Sequence, residues 1–488
     1  MVTVPPYMPE RLVNREAEVQ TLRRLARSGY HLALLSGRRR VGKTFLLTHT
    51  WTEEPLFFFT ASRTTPEINR RQLIEDLAAW SGEALHPEDY PTWRTVFRLL
   101  LDVGRPDPLV VVLDEFQYLG DDAGGALEVA SELNAVWERH QSDRPFLLVL
   151  SGSAVGTMEA LAAGGGPLYG RFDWQHRLQP FGYWHAAEMT PFKDLRDRAL
   201  TYGIFGGTPR YLAALDGTAP LAQHVMRLML DPSGAVRLLI ETALEQEEGL
   251  RDISKYRAIL HAVASGCTER NDIATRTGLR NDRALRDKLE RLTTLGYIET
   301  RRNIDARPNE PVRYGIADAA FRFYQRFVEP NRSMLEQYPA EEVWTSSVAP
   351  HLDAYMGHEF ERIVAQAYPR LRAACDLPMV AEWGRWEGTD RHRQSLEIDI
   401  VARLAEGGML TGAIKWNRSP VPAAVHREHM EMLKRAAEAG RKWAHQALEP
   451  DAPLLYVAAG GFSEAFLEAA SASGHPVTTW TLEDLYAA

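Results

Sequence analysis

Eight consecutive residues, Gly37-Arg38-Arg39-Arg40-Val41-Gly42-Lys43-Thr44, have the types and spacing to grip phosphate. They fit the pattern G-x-x-x-x-G-K-[ST], in which main-chain N–H groups and the start of the next helix cradle anionic oxygens. Gly42 lets the backbone approach the phosphates, Lys43 reaches the β and γ groups, and Thr44 offers a hydroxyl to Mg²⁺. Phe45 opens the helix behind the loop. Arg38, Arg39 and Arg40 stand where the backbone does the cradling, so their side chains are auxiliary. The apolar run 31–36 before the loop and the amphipathic Phe45-Leu46-Leu47 after it supply the strand and helix that the motif requires.

Two further stretches could complete phosphoryl chemistry. Leu109-Val110-Val111-Val112-Leu113-Asp114-Glu115 is an apolar strand ending in two acids. Asp114 at the tip is placed to hold Mg²⁺ with Thr44, and Glu115 to orient and deprotonate an attacking water. The run 146–151 is a second strand, ending in Ser151-Gly152-Ser153. A serine there either contacts the γ-phosphate or water, as we assign to Ser153, or simply caps the next helix. Arg171, after the flexible Gly164-Gly165-Gly166, is the candidate for an arginine finger, acting in cis or in trans, against the alternative of an ordinary surface arginine.

These groups need a scaffold. The strand candidates 31–36, 56–60, 109–113 and 146–151 are almost wholly apolar and alternate with helical segments. That pattern predicts a parallel sheet covered on both faces. With 488 residues the chain has room for about three domains or more. Hydrophobic residues at 45% and charged residues at 25% are ordinary globular composition. A net charge of −9 argues against wrapping nucleic acid over the whole surface. The two cysteines, Cys267 and Cys375, exclude a disulfide framework or a cysteine-based zinc site and suit a reducing compartment. Charged residues among the first twenty, Arg11 included, argue against a signal peptide, and no apolar run approaches a membrane span. The expected location is the cytoplasm.

Leu12-Val13-Asn14-Arg15-Glu16, the phosphate loop, Asp114-Glu115, Leu168-Tyr169-Gly170-Arg171 and Gly207-Thr208-Pro209-Arg210-Tyr211, in that order, resemble the archaeal-type ATPases. These are a branch of the STAND class of AAA+-related P-loop NTPases. The resemblance implies ATP and Mg²⁺ as cofactors, with Val13, Asn14 and Arg15 beside the adenine. It implies that Gly207-Thr208-Pro209 closes over the nucleotide from a helical lid, with Pro209 in contact. It further implies a conformational switch rather than a fast engine.

Residues 253–316 carry three short helical patterns and a hairpin, the order of a winged helix-turn-helix. Over 269–302 nine basic residues oppose six acidic ones, a modest excess for a DNA reader, so relay of motion is favoured over direct DNA contact. The family's ATPase is often followed by a restriction-endonuclase-like domain of PD-(D/E)xK type. Glu361, Asp399 and Lys415 resemble its site, but Ala413 replaces the acid two residues before the lysine. A site short of one carboxylate should hold metal poorly, so cleavage is not expected. His426 and His429, with Glu428 and Glu431, lack a third zinc ligand and read as a solvated helix face.

The expected architecture is therefore multidomain α/β. It comprises a P-loop NTPase core with a parallel sheet at 1–180, a helical lid at 181–250, a winged helix at 251–330 and an endonuclease-like α/β domain at 331–488. The expected function is an ATP-binding, slowly hydrolysing switch coupled to the C-terminal domain. The alternatives are an ATP-gated, metal-dependent DNA nuclease and a DNA-binding scaffold with a structural nucleotide site. The expected partners are ATP and ADP, DNA through the winged helix or C-terminal domain, and a protein partner or second copy; no membrane is expected.

Overall fold

The computed structural model describes residues 12–487, apart from 52–53, 103–108, 141–143, 248–249, 307–309 and 311. Arg11, one of the charges set against a signal peptide, lies outside the described residues. The chain divides into two compact units. The first holds residues up to Phe181 together with Thr208–Ala213 and Ala243–Ile253; the second holds Gly182–Gly207, Ala214–Thr242 and Ser254–Ala488. The expected core boundary near 180 falls at the first of these breaks. The stretch expected as a lid is shared between the two units.

Five parallel strands form the sheet of the first unit: β1 (Tyr30–Ser36), β2 (Leu56–Thr60), β3 (Leu109–Asp114), β4 (Phe146–Gly152) and β5 (Trp174–Arg177), in the order β2-β3-β4-β1-β5. The first four coincide with the apolar runs. β5 is partly exposed and polar in pattern, which is why no apolar run announces it. β3 shows how the strands hold the site. Val111 and Leu113 pack into a core on one face, Val110 and Val112 into a core on the other. With helices on both faces, every side chain along the strand is buried, the last, Asp114, included. Each buried Val or Leu contributes about 1.5–3 kcal/mol, so the strand is anchored along its length and the carboxylate at its tip is held in register.

The second unit begins with helices Tyr183–Glu188 and Leu195–Phe205. Helices Ile253–Ala264, Arg270–Thr277 and Arg283–Thr294 follow, then an antiparallel hairpin of β6 (Ile298–Arg301) and β7 (Arg313–Ile316). The helix Arg283–Thr294 forms where Asp282 accepts the N–H of Leu285 as its cap and Leu285, Leu289 and Leu292 repeat on one buried face. After the helix Ala349–Leu371 comes a mixed sheet of β8 (Val380–Thr389), β9 (Ser395–Leu404), β10 (Met409–Lys415), β11 (Leu454–Ala458) and β12 (Val477–Trp480), ordered β12-β11-β10-β9-β8. β8, β9 and β10 run antiparallel to their neighbours, and β10, β11 and β12 run parallel. Phe360, Ile363, Val364 and Ala367 of the long helix share one core with Ile400, Ala402 and Leu410. On this architecture the expectation of multidomain α/β, with a parallel P-loop-type core and a separate C-terminal sheet, holds.

One expectation is overturned. His426 and His429 do not form a solvated face of the helix Ala423–Glu438; both are buried. His426 Nδ1 lies 2.7 Å from the Tyr456 hydroxyl, and His429 Nε2 lies 3.2 Å from Thr411 Oγ1. Burial first, then the neighbouring His426, Lys415 and His475, push the His429 imidazole down to about 3, so it packs as a neutral ring. The glutamates between them misled the reading, because at helical spacing they occupy the outer face.

Candidate functional site

The phosphate loop joins the end of β1 to the helix Lys43–His49. Gly42 has φ 95°, a left-handed conformation that favours glycine, and it turns the chain into the helix. A Cβ built there would stand 3.9 Å from Pro209 Cγ, so Pro209 borders the loop. Lys43 is buried, and its ammonium donates to the carbonyls of Gly37 (2.8 Å) and Arg38 (3.2 Å). Burial pushes its pKa down, and the carboxylates of Glu115 and Asp114 oppose that shift. Thr44 Oγ1 donates to Asp114 Oδ2 at 2.7 Å. This hydroxyl and carboxylate, which meet across 70 residues of sequence, are oxygen donors of the kind that could hold a Mg²⁺ ion. Bound there, the ion would neutralise charge on the β and γ oxygens.

Glu115 is fixed by three contacts. The Ser153 hydroxyl donates to Glu115 Oε2 at 2.7 Å, the Ser153 N–H donates to the same oxygen at 3.2 Å, and the Gln117 amide donates there as well. The residue itself has φ 53°, a strained conformation for a non-glycine, costing about 1–3 kcal/mol. Burial pushes its carboxyl up, but the Lys43 charge and the hydrogen bonds from Ser153 and Gln117 outweigh it and hold it below the ordinary glutamate range. It is therefore an ionised carboxylate at neutral pH, able to accept a proton from water. Ser153 serves Glu115 directly, and Ser151 Oγ is buried at the same strand end with no hydrogen-bond partner among the described residues.

Gln117 was not singled out from the sequence. It is buried, bridges Glu115 and Ser153 (3.4 Å to Ser153 Oγ), and leaves its Oε1 unpaired. Gly152 makes room for it: a Cβ at that position would stand 2.3 Å from Gln117 Oε1. The available signal was an amide two residues past the Asp-Glu pair and a glycine between two serines. Neither reads as chemistry until the strands are side by side.

The segment Val13-Asn14-Arg15 joins the base of the loop. Val13 is buried, Asn14 has φ 47°, and Arg15 donates to the Gln179 carbonyl at 2.7 Å and lies 4.7 Å over the Phe181 ring. The stretch that holds Gln179 starts at Leu178, whose N–H donates to Ser36 at the loop's entry. In the loop, Arg39 donates to the Tyr118 hydroxyl and Arg40 to Gln246 Oε1 at 2.7 Å. Their side chains brace the loop from outside.

Arg171 needs correction as a finger acting in cis. It pairs with Glu138 and donates to Asn134 at 3.1 Å, both at the far end of the helix Ala123–Trp137. That helix starts beyond the tip of β3 and runs back, and Asp173, two residues on, bonds to Leu32 near the start of β1. Arg171 thus lies toward the amino-terminal ends of the strands, and the phosphate loop at the carboxyl end of β1.

Of the three C-terminal candidates, Asp399 and Lys415 meet, while Glu361 is held by an arginine. Glu361 and Glu397 both meet the guanidinium of Arg385, at 3.4 and 2.8 Å, and Glu387 meets it too. Asp399 instead accepts the N–H of Ile414 at 2.8 Å and the ammonium of Lys415 at 3.2 Å. The ladder between β9 and β10 ends with Gly412 opposite Ile400, so this carboxylate serves an N–H just past its end. Among the described residues no group of three or more His, Cys, Asp or Glu side chains is placed to hold a metal ion. Nor is any helix among them long and apolar enough to cross a membrane.

Comparison with known proteins follows this division. Residues 12–215 match the family described as an ATPase domain predominantly from Archaea, and residues 324–432 match a family of archaeal and bacterial proteins of unknown function. An uncharacterized protein of Methanocaldococcus jannaschii is 24% identical over 399 residues, covering 80% of this chain and 84% of that one. A Walker-type ATPase of Pyrococcus abyssi is similar in fold, with a TM-score of 0.50 and 24% identity over 66% of this chain and 99% of its own. The ORC2 protein of Aeropyrum pernix, solved with ADPNP and ADP, gives a TM-score of 0.45 and 15% identity over 71% of this chain and 98% of its own. The chain thus carries an archaeal-type ATPase domain at residues 12–215, followed by a C-terminal domain of a family whose function is not known.

Proposed function

We propose that this protein is an ATP-binding, slowly hydrolysing switch of the STAND class, whose nucleotide state is relayed to its C-terminal domain. The observation that carries the reading is Glu115: ionised, strained, and clamped by Ser153 and Gln117 beside the Thr44–Asp114 pair. In this reading Lys43 leaves its loop carbonyls for the β and γ oxygens, and Glu115 accepts a proton from the attacking water. Val13, Asn14 and Arg15 border the base, and Pro209 borders the phosphates. Thr208–Ala213 groups with the ATPase unit while the residues on either side of it group with the second unit, which supports nucleotide state being felt by both. The middle helices and hairpin act as relay, and the C-terminal domain recognises rather than cuts.

The test is a pair of variants followed by nucleotide binding and phosphate release. Lys43→Ala should lose nucleotide binding, whereas Glu115→Gln should keep it and stop turnover. Hydrolysis by Glu115→Gln at the parent rate would remove the base assignment.

A further inference from the structure

A cleft of about 590 Å³ in the second unit is walled by arginines from five separate elements. Arg301 comes from β6 and Arg313 from β7, Arg322 and Arg326 from the segment after the hairpin, Arg362 from the long helix, and Arg385 from β8. Arg302 is the seventh. Only two carboxylates, Glu359 and Glu387, line the same walls.

Some of this charge is structural. Glu359 is buried and binds Arg322 through both oxygens, with 2.6 Å from Nε, and Arg322 also donates to the carbonyls of Ile316 and Ala317. That pair forms the floor and ties the end of the hairpin to the long helix. Around it, Glu299 holds Arg301 and Arg362, each at 2.7 Å, and Glu387 holds Arg313. A network that existed only to fasten the hairpin would come close to balance. Here, even with Glu299, Glu361 and Glu397 counted from outside the walls, seven guanidiniums face five carboxylates. The surplus is gathered in a concavity rather than spread over a surface.

We propose that this cleft binds a phosphate-bearing ligand of nucleotide size, at a site separate from the phosphate loop. Guanidinium forks match phosphate oxygens in pairs, and Arg is the residue suited to such recognition. The volume lies within the range of small-ligand sites, about 300–1,000 Å³. The half-exposed pairs Arg313–Glu387 and Arg301–Glu299 are weak, about 0–1 kcal/mol each, so an anion with two or more charges displaces the glutamates. The glutamates keep the forks extended toward the cleft until the ligand arrives. Since hairpin, long helix and β8 each contribute arginines, the ligand fixes the hairpin on the C-terminal sheet.

The experiment is calorimetric titration of the full chain carrying Lys43→Ala, which silences the phosphate loop, with tripolyphosphate, ATP and a short single-stranded oligonucleotide in turn. Saturable binding of tripolyphosphate and ATP at one site is expected. Arg326→Glu, at an exposed position, should weaken both by about tenfold or more without shifting the melting temperature, and affinity is the readout that a merely structural role would not move. Affinity untouched by that variant, or no saturable binding of either small phosphate, overturns the proposal. Binding of the oligonucleotide alone overturns it too, and gives the surface to nucleic acid.

Discussion

Two clusters in this chain pair carboxylates with a basic residue, one at the tips of β3 and β4 and one on β8, β9 and β10, and they differ in what neutralises the acids. In the first, Asp114 meets only a hydroxyl and a backbone N–H, and Glu115 meets a serine, an amide and the field of Lys43. The carboxylates are oriented, but no cation sits directly on them. In the second, the guanidinium of Arg385 already sits among Glu361, Glu387 and Glu397, and Asp399 is taken by a backbone N–H and Lys415. The first cluster meets its acids with neutral donors. The second has supplied its own cation from the chain. An acid motif therefore says little until the partner of each oxygen is known.

The largest effect should come from Glu115→Gln, which keeps shape and hydrogen bonds but removes the base. Phosphate release should fall about 10²–10⁴-fold with nucleotide affinity within a few-fold of the parent. Because the Glu115 carboxyl is held below the ordinary range, the parent's turnover should stay flat through neutral pH and fall only in acid, as the group protonates. A rate that climbs steadily from pH 6 to 8 would break the assignment.

Next is Arg385→Ala. It removes the cation shared by three glutamates, leaving Glu387 its pair with Arg313, and should cost about 1–3 kcal/mol, read as a lower urea midpoint. Mn²⁺ should restore part of that loss in the variant and add nothing to the parent. If the parent itself gained stability from Mn²⁺ in a way abolished by Asp399→Ala, the contrast between the clusters would fail.

Gln117→Ala should slow phosphate release about tenfold by loosening Glu115, and Gly152→Ala should do the same by displacing Gln117. The signature of positioning is a fall in kcat with nucleotide KM unchanged. The smallest effect is the acid response of the C-terminal core. His429 titrates near 3 folded and about 6.5 unfolded, so the unfolded chain binds more protons between those values. Stability is full above about pH 6.5 and declines as pH falls, by up to about 1.4 kcal/mol per unit from this group. His429→Gln should flatten that slope in acid unfolding curves.

The parallel core was legible because its strands are apolar on both faces, and that run of residues has few other uses. β5, β8 and β12 were not, since strands at or near a sheet edge are partly exposed and carry mixed residues. Lys43, Thr44, Asp114 and Glu115 were legible because a fixed local spacing places backbone and side chain together. His426 and His429 were misread because their neighbours in sequence are polar, while their neighbours in space, Tyr456 and Thr411, are not adjacent in the chain.

The sequence by itself determined that a phosphate loop follows a buried strand and that an Asp-Glu pair ends another, because local geometry alone dictates both. Only the tertiary structure decided the rest. It put Ser153 and Gln117 on Glu115, carried Arg171 toward the other ends of the strands, closed Arg385 on the glutamates, and gathered arginines from five elements around one cleft. Each of these depends on contacts between residues far apart in the chain, and a hydrogen bond or ion pair across that separation exists only once the cores between them have packed.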